Sequence, residues 1–148
     1  MRALGLDLGS KRIGVALSNS DGTMATPYDV VHRTGDRARE HRRIKELAEE
    51  AEAEVIVVGV PYHLDGRLSP NAHAALAEAA ELHDTTGLPV ETYDERLTTV
   101  TAQRSLDEMR LSPAARRRAI DQVAAAVMLQ AWLDHRRSTL PDDHDEAP

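Results

Sequence analysis

The sequence predicts an α/β fold in which a mixed five-stranded sheet is flanked by helices. Three observations carry this. Two apolar runs of strand length near the N-terminus, parted by a Gly-Ser-Lys turn, predict an antiparallel hairpin. The continuous apolar run "EVIVVGVP" at 54–61 has the composition of a strand buried on both faces, which is typical of parallel pairing. After these runs, apolar residues recur at helical spacing. A hairpin meander joined to βα units makes strands 1–3 antiparallel and strands 4 and 5 parallel.

Residues 2–8 read as the first strand and 12–18 as the second. The turn "NSDGT" leads into a third strand, "ATPYDVVHR", where Pro27 predicts an edge position. Asp36 is placed to cap a helix running to about Ala53, with Ile44, Leu47, Ala48 and Ala51 as its apolar stripe. After the fourth strand, "YHLDGRLSP" is a loop in which Asp65-Gly66 marks a turn. A helix follows from Ser69 to Thr86, ended by Gly87 and Pro89. "VETYDE" is a short fifth strand, and Thr98 or Thr99 starts a helix through Met109. "LSPAARRRA" reads as a break, with Ser112 as N-cap and Pro113 at the first helical position. "AIDQVAAAVMLQAWLDHR" is then the last helix, and its face from Val127 to Leu133 reads as core.

The chain of 148 residues is the size of one domain, assigned to 1–137, with an acidic tail predicted to be disordered over 138–148. With no Phe and a single Trp, the core must be aliphatic. The absence of Cys excludes disulfides and thiolate metal sites and fits a reducing cytoplasm. No apolar run approaches the roughly 20 residues that span a bilayer, and Met1-Arg2 lead straight into a strand pattern with no signal-peptide core. A cytoplasmic protein without membrane contact is expected. The net charge of −7 argues at first against a nucleic-acid partner, but it is uneven. Asp142, Asp143, Asp145 and Glu146 crowd the tail, while Arg33, Arg37, Arg39, Arg42 and Arg43, and later Arg116, Arg117 and Arg118, form basic clusters. Each cluster reads equally well as solvated surface.

Three carboxylates occupy unusual places. Asp7 lies inside the first strand, Asp94-Glu95 end the fifth, and Asp121 opens the last helix among Ile120, Val123 and Ala124. Ligands of open α/β sheets gather at the C-terminal ends of parallel strands, where Asp7 and Glu95 fall. Taken singly, each carboxylate also suits a cap, a turn or a helix first turn. Brought together without a cation, they would repel and their pKa values would rise. A divalent metal removes that cost, and an all-oxygen set favours Mg²⁺ or Mn²⁺ over zinc. Such a site suits phosphodiester hydrolysis.

With these residues in hand, the chain resembles the YqgF/RuvX family of the RNase H-like superfamily, which also holds the RuvC resolvases. Four blocks in order carry the resemblance: "GLDLGSKRIGVALS", "VVGVPYHLDG", "DERLTTVTAQRSL" and "IDQVAAAVMLQAWLD". The second block departs from the family's usual Leu-Asn-Met, with Tyr62-His63-Leu64 in its place. The resemblance implies an RNase H-like three-layer fold and a metal-dependent endonuclease with Asp7, Glu95 and Asp121 as its catalytic, metal-holding acids. It implies processing of the 5′ end of precursor 16S ribosomal RNA, within ribosomal precursor particles, or alternatively Holliday junction resolution in DNA recombination and repair. A monomer would suit trimming of an RNA end and a homodimer a two-fold symmetric junction. Lys11 and Arg12 in the first turn, Arg96 beside Glu95, and Arg116, Arg117 and Arg118 are candidate nucleic-acid contacts. Two other classes compete. A non-catalytic RNA-binding assembly factor would suit the acidic body. An ATP-binding actin-like domain would share the first block, but it needs two facing domains and leaves the Asp-Glu-Arg block without a role.

Overall fold

A computed structural model describes residues 1–63, 65–97 and 112–139, with the backbone alone at 97, 114–122 and 138–139. Strands β1 (Ala3–Leu8), β2 (Arg12–Ser18), β3 (Ala25–His32), β4 (Val55–Val60) and β5 (Val90–Asp94) form one sheet in the order β3-β2-β1-β4-β5. β1 pairs with β2 and β2 with β3 antiparallel, while β1–β4 and β4–β5 are parallel. The mixed sheet is therefore the one the sequence predicts. β1 is central, and Pro27 sits on the edge strand β3, where its missing N–H breaks no ladder bond to a further strand.

Helix α1 (Arg37–Glu50) is capped by Asp36, whose carboxylate accepts from the Arg39 N–H. Helix α2 (Pro70–Thr86) starts at the Ser69 cap and stops at Gly87 in the left-handed conformation. Helix α3 runs unbroken from Pro113 to Thr139, which corrects the predicted break at 111–119 and carries the helix past the predicted boundary at 137. The physical reason is local. Pro113 suits the first helical position, and the Ala and Arg residues after it are strong helix formers that nothing interrupts. The helix expected from Thr98 or Thr99 to Met109 and the tail beyond 139 lie outside the described residues.

The strand alternation sorts the core into two layers. On one face, Leu4, Leu6, Ile13, Val15, Ile56 and Val58 pack under α1 and α2 through Ile44, Leu47, Ala79 and Leu82. On the other, Ala3, Ala16, Val55 and Val57 meet the α3 stripe Ala125, Met128, Leu129, Trp132 and Leu133. Each fully buried Leu or Ile contributes about 1.5–3 kcal/mol of transfer free energy, so the aliphatic core suffices without Phe. The alternation also settles an orientation. Asp7 shares its parity with Ala3 and Gly5, on the face that α3 covers.

Gly5 lets α3 approach. A Cβ there would stand 2.9 Å from the Leu129 Cβ, so the helix lies directly against β1. The direction of α3 follows from its other anchors. Gln130 accepts from the Ala25 N–H at 2.8 Å and donates to the Thr23 carbonyl at 2.9 Å, while Leu133 lies beside Gly22. Its C-terminal half thus covers the start of β1 and the β2–β3 turn. Its N-terminal half runs toward the end of β1 and contacts the 3-10 turn Glu95–Leu97.

Candidate active site

Three parallel strands end together beneath the first half of α3. Asp7 projects near the end of β1, opposite Gly14 of β2. Glu95 follows β5 directly, in the 3-10 turn. The two carboxyl groups are hydrogen-bonded to each other. Burial raises the Glu95 pKa, and the hydrogen bond with Asp7 and the negative charges of Asp7 and Asp94 push it further, to about 8.

Gly59 makes room for this contact. It pairs with Tyr93 in the β4–β5 ladder, and a Cβ on it would stand 2.4 Å from the Glu95 Oε1 and 2.8 Å from its Cγ. A lone glycine in the β-branched run "VIVVGV" is the sequence signal of such a close approach. Gly59→Ala is expected to swing Glu95 away from Asp7. The intruding methyl meets the flexible side chain of Glu95, so the melting temperature should stay within a few degrees while cleavage falls at least tenfold, by analogy with other displaced active-site groups. Thermal melts beside single-turnover cleavage check this; equal activity in the two proteins would show that Glu95 needs no such freedom.

The neighbouring acid has a different fate. Arg96 donates from its backbone N–H and Nε to the Asp94 Oδ1, each at 3.0 Å, and its Nη2 also contacts Asp94. The hydrogen bond with Arg96 holds the Asp94 carboxyl below its ordinary range. Arg96 also donates to the His63 carbonyl at 3.2 Å and lies over the Tyr62 ring at 5.7 Å. The Tyr62-His63 departure thus has a local use. Tyr62 supplies a ring for Arg96, and the His63 backbone closes the turn by accepting from the Gly66 N–H at 2.9 Å and donating to the Arg67 carbonyl at 3.0 Å.

The remaining predicted contacts lie on the β1–β2 turn, at the start of β2 and on α3. Lys11 is exposed in the β1–β2 turn, and Arg12 begins β2 half-buried. Arg116, Arg117 and Arg118 fall in the first two turns of α3, with side chains outside the described atoms. Asp121 does not open its helix, as expected from sequence; the helix begins at Pro113 and places Asp121 in its third turn, so the first-turn dipole explanation fails. By helical register it lies one turn before Ala125 and two before Leu129, residues of the stripe that faces the sheet. Its side chain is likewise outside the described atoms.

Comparison with known proteins bears on the family and the fold. The family model described as "RuvX: Holliday junction resolvase" matches residues 1–135. A chain from Mycobacterium sp. (strain KMS), provisionally named a pre-16S rRNA nuclease, is 47% identical over 140 residues, covering 94% of this chain and 83% of its own length. One from Myxococcus xanthus (strain DK1622), with the same provisional name, is 43% identical over 152 residues and the full length of both chains. Among solved structures, Thermus thermophilus RuvC in complex with a Holliday junction superimposes with a TM-score of 0.59 at 18% identity, over 94% of this chain and 97% of that one. The RuvC likeness bears on the fold, which is RNase H-like, whereas the family match and the two relatives bear on descent: this chain belongs to the RuvX family.

Proposed function

We propose that this protein is a metal-dependent endonuclease that hydrolyses phosphodiester bonds in structured RNA, and that it processes the 5′ end of precursor 16S ribosomal RNA. The observation that carries the reading is the Asp7–Glu95 carboxyl pair. It is held on the α3 face where three parallel strands end, where burial and the neighbouring carboxylates raise the Glu95 pKa. The donor set fits a hard divalent cation: both groups offer only oxygen, and a cation in place of the Glu95 proton would relieve their repulsion. Asp7, Glu95 and Asp121 would hold Mg²⁺ or Mn²⁺. Such an ion, when bound, supplies Lewis-acid stabilisation of charge developing on a phosphoryl oxygen.

The chain's own residues do the rest. β1 and the 3-10 turn mount two carboxylates on rigid backbone, which fixes their spacing before substrate arrives. Arg96 pairs with Asp94 and holds that carboxylate in its ionised form, bonded away to the guanidinium. Lys11, Arg12, Arg116, Arg117 and Arg118 would meet the nucleic-acid backbone and orient it. The names of the relatives support RNA as substrate, and the family description supports a second reading, resolution of Holliday junctions. We place the protein in the cytoplasm, acting as a monomer or homodimer on ribosomal precursor particles.

The test is a side-by-side assay on a 5′-extended 16S rRNA fragment and a four-way DNA junction, with solution mass measured in parallel. Cutting of the RNA that requires Mg²⁺ or Mn²⁺ and stops with a chelator is expected. Faster cutting of the junction by a dimer would favour resolution instead. Binding to RNA with no cutting under any metal would leave a non-catalytic assembly factor, and stabilisation by ATP without cutting would point to nucleotide binding.

A further inference from the structure

Arg33 follows β3 and reaches back to the β1–β2 turn, which begins two residues after Asp7. Its backbone N–H donates to the Lys11 carbonyl at 2.9 Å and its Nε to the Gly9 carbonyl at 3.0 Å. The Gly9 N–H in turn donates to the Asp7 carbonyl at 3.1 Å and to the Arg12 carbonyl at 2.9 Å. One arginine therefore grips two carbonyls of the turn, and the turn is bonded to the backbone of Asp7 itself.

The guanidinium is held just as firmly. Nη1 donates to the Glu40 Oε1 at 3.0 Å and the Glu78 Oε2 at 2.7 Å, and Nη2 donates to the Glu78 Oε1 at 3.0 Å. His41 donates from Nε2 to the same Glu78 Oε2 at 2.7 Å. The second oxygen of Glu40 accepts from the N–H groups of Thr34 at 2.7 Å and Gly35 at 3.1 Å. The Arg33 side chain is 17% exposed, and those of Glu40, His41 and Glu78 are 2–4% exposed. From sequence, Arg33 read as one of a surface cluster. A buried ionic network of this kind is a poor source of stability, because desolvation offsets its Coulombic gain, but it does enforce one geometry. Here it joins α1, which carries Glu40 and His41, and α2, which carries Glu78, to the turn at the rim of the carboxylate site.

We propose that Arg33, locked by Glu40 and Glu78, is a positioning residue that fixes the Gly9–Lys11 turn and, through it, the placement of Asp7. The assignment rests on the nuclease reading above. Lys can replace the charge of Arg33 but not its fork: one ammonium cannot reach the Gly9 carbonyl and hold Glu78 at two points. Arg33→Lys is therefore the decisive variant, since it leaves no uncompensated buried carboxylate, and Glu78→Gln is the second.

Metal-dependent cleavage by Arg33→Lys is expected to show kcat lowered roughly 10- to 100-fold with KM nearly unchanged, the range seen when groups supporting a site are disturbed. Hydrogen exchange supplies a readout independent of activity: the Gly9 amide should lose protection, while the Leu4 and Leu6 amides earlier in β1 keep theirs. Glu78→Gln should move both readouts the same way by a smaller factor. Wild-type kcat in folded Arg33→Lys overturns the proposal, as does a loss of activity matched by equal loss of protection at Leu4 and Leu6. A wild-type chain that cuts nothing sinks the nuclease reading and the proposal with it, whereas an active wild type beside an indifferent Arg33→Lys sinks the proposal alone.

Discussion

Asp7→Asn and Glu95→Gln should each slow cleavage by roughly 10³-fold or more, with the melting temperature level or raised. The two effects have one cause. The folded chain presses two carboxyl groups together in a partly buried site, where burial and their mutual repulsion raise the Glu95 pKa and favour its protonated form. A neutral amide at either position removes the repulsion and can still donate a hydrogen bond to its partner, so the fold loses nothing. The same amide is a far weaker ligand for a hard cation, so the chemistry loses a great deal. Asp121→Asn belongs in the same series as the test of the third acid. Single-turnover cleavage beside calorimetric melting separates the outcomes. Cutting that survives all three changes would mean that these carboxylates are not the site, and a sharp fall in melting temperature would mean that their role is structural.

In metal-free protein, stability should fall as pH rises from about 5 to 9. The sign follows from which state holds the proton. The Glu95 pKa in the folded chain, about 8, lies above its ordinary value of 4.5. Between those values the folded state binds more protons than the unfolded state, so raising the pH favours unfolding. The stability that the proton supplies is full below the ordinary value and gone above the raised one. This is opposite to a salt-bridged carboxylate such as Glu78. Burial would raise the Glu78 pKa, but hydrogen bonds from His41 and Arg33 and their charges more than offset it and hold it near 2. For each pH unit over which the extra proton is retained, the loss is about 1.4 kcal/mol, or roughly 3–5 °C for a chain of this size. Mn²⁺ or Mg²⁺ should reverse the slope, because the cation takes the place of the proton and competes better as pH rises. Melting curves at several pH values, with and without metal, are sufficient. A slope unchanged in Glu95→Gln would show that another group is responsible.

The elements themselves were legible because their signals are local. Asp36, Ser69 and Gly87 mark helix ends through their own backbone and side-chain chemistry, and each does so in the structure. The all-apolar stretch at β4 implied a strand covered on both sides, and β4 is buried along its whole length. At 111–119 Pro113 does open a helix, as its place after Ser112 predicts, and the misreading lay in starting the last helix only at Ala119, although the Ala and Arg residues between are strong helix formers. Arg33 was illegible for a different reason. Its partners are 7 and 45 residues away in the chain, and nothing in the surrounding basic residues distinguishes it from solvated charge.

By itself the sequence determined the strand and helix segments, the mixed sheet and the acids Asp7 and Glu95 as candidates, since periodicity, capping and motif order are written in neighbouring residues. It preferred Glu95 to the adjacent Asp94 by motif and strand-end position, without a physical difference between the two carboxylates. Only the tertiary structure supplied that difference: Arg96 pairs with Asp94, while the bare Gly59 opposite lets Glu95 lie against Asp7. That choice depends on which side chains the folded sheet places within hydrogen-bonding reach, and a carboxylate's charge and protonation are set by such neighbours in space rather than by neighbours in the chain.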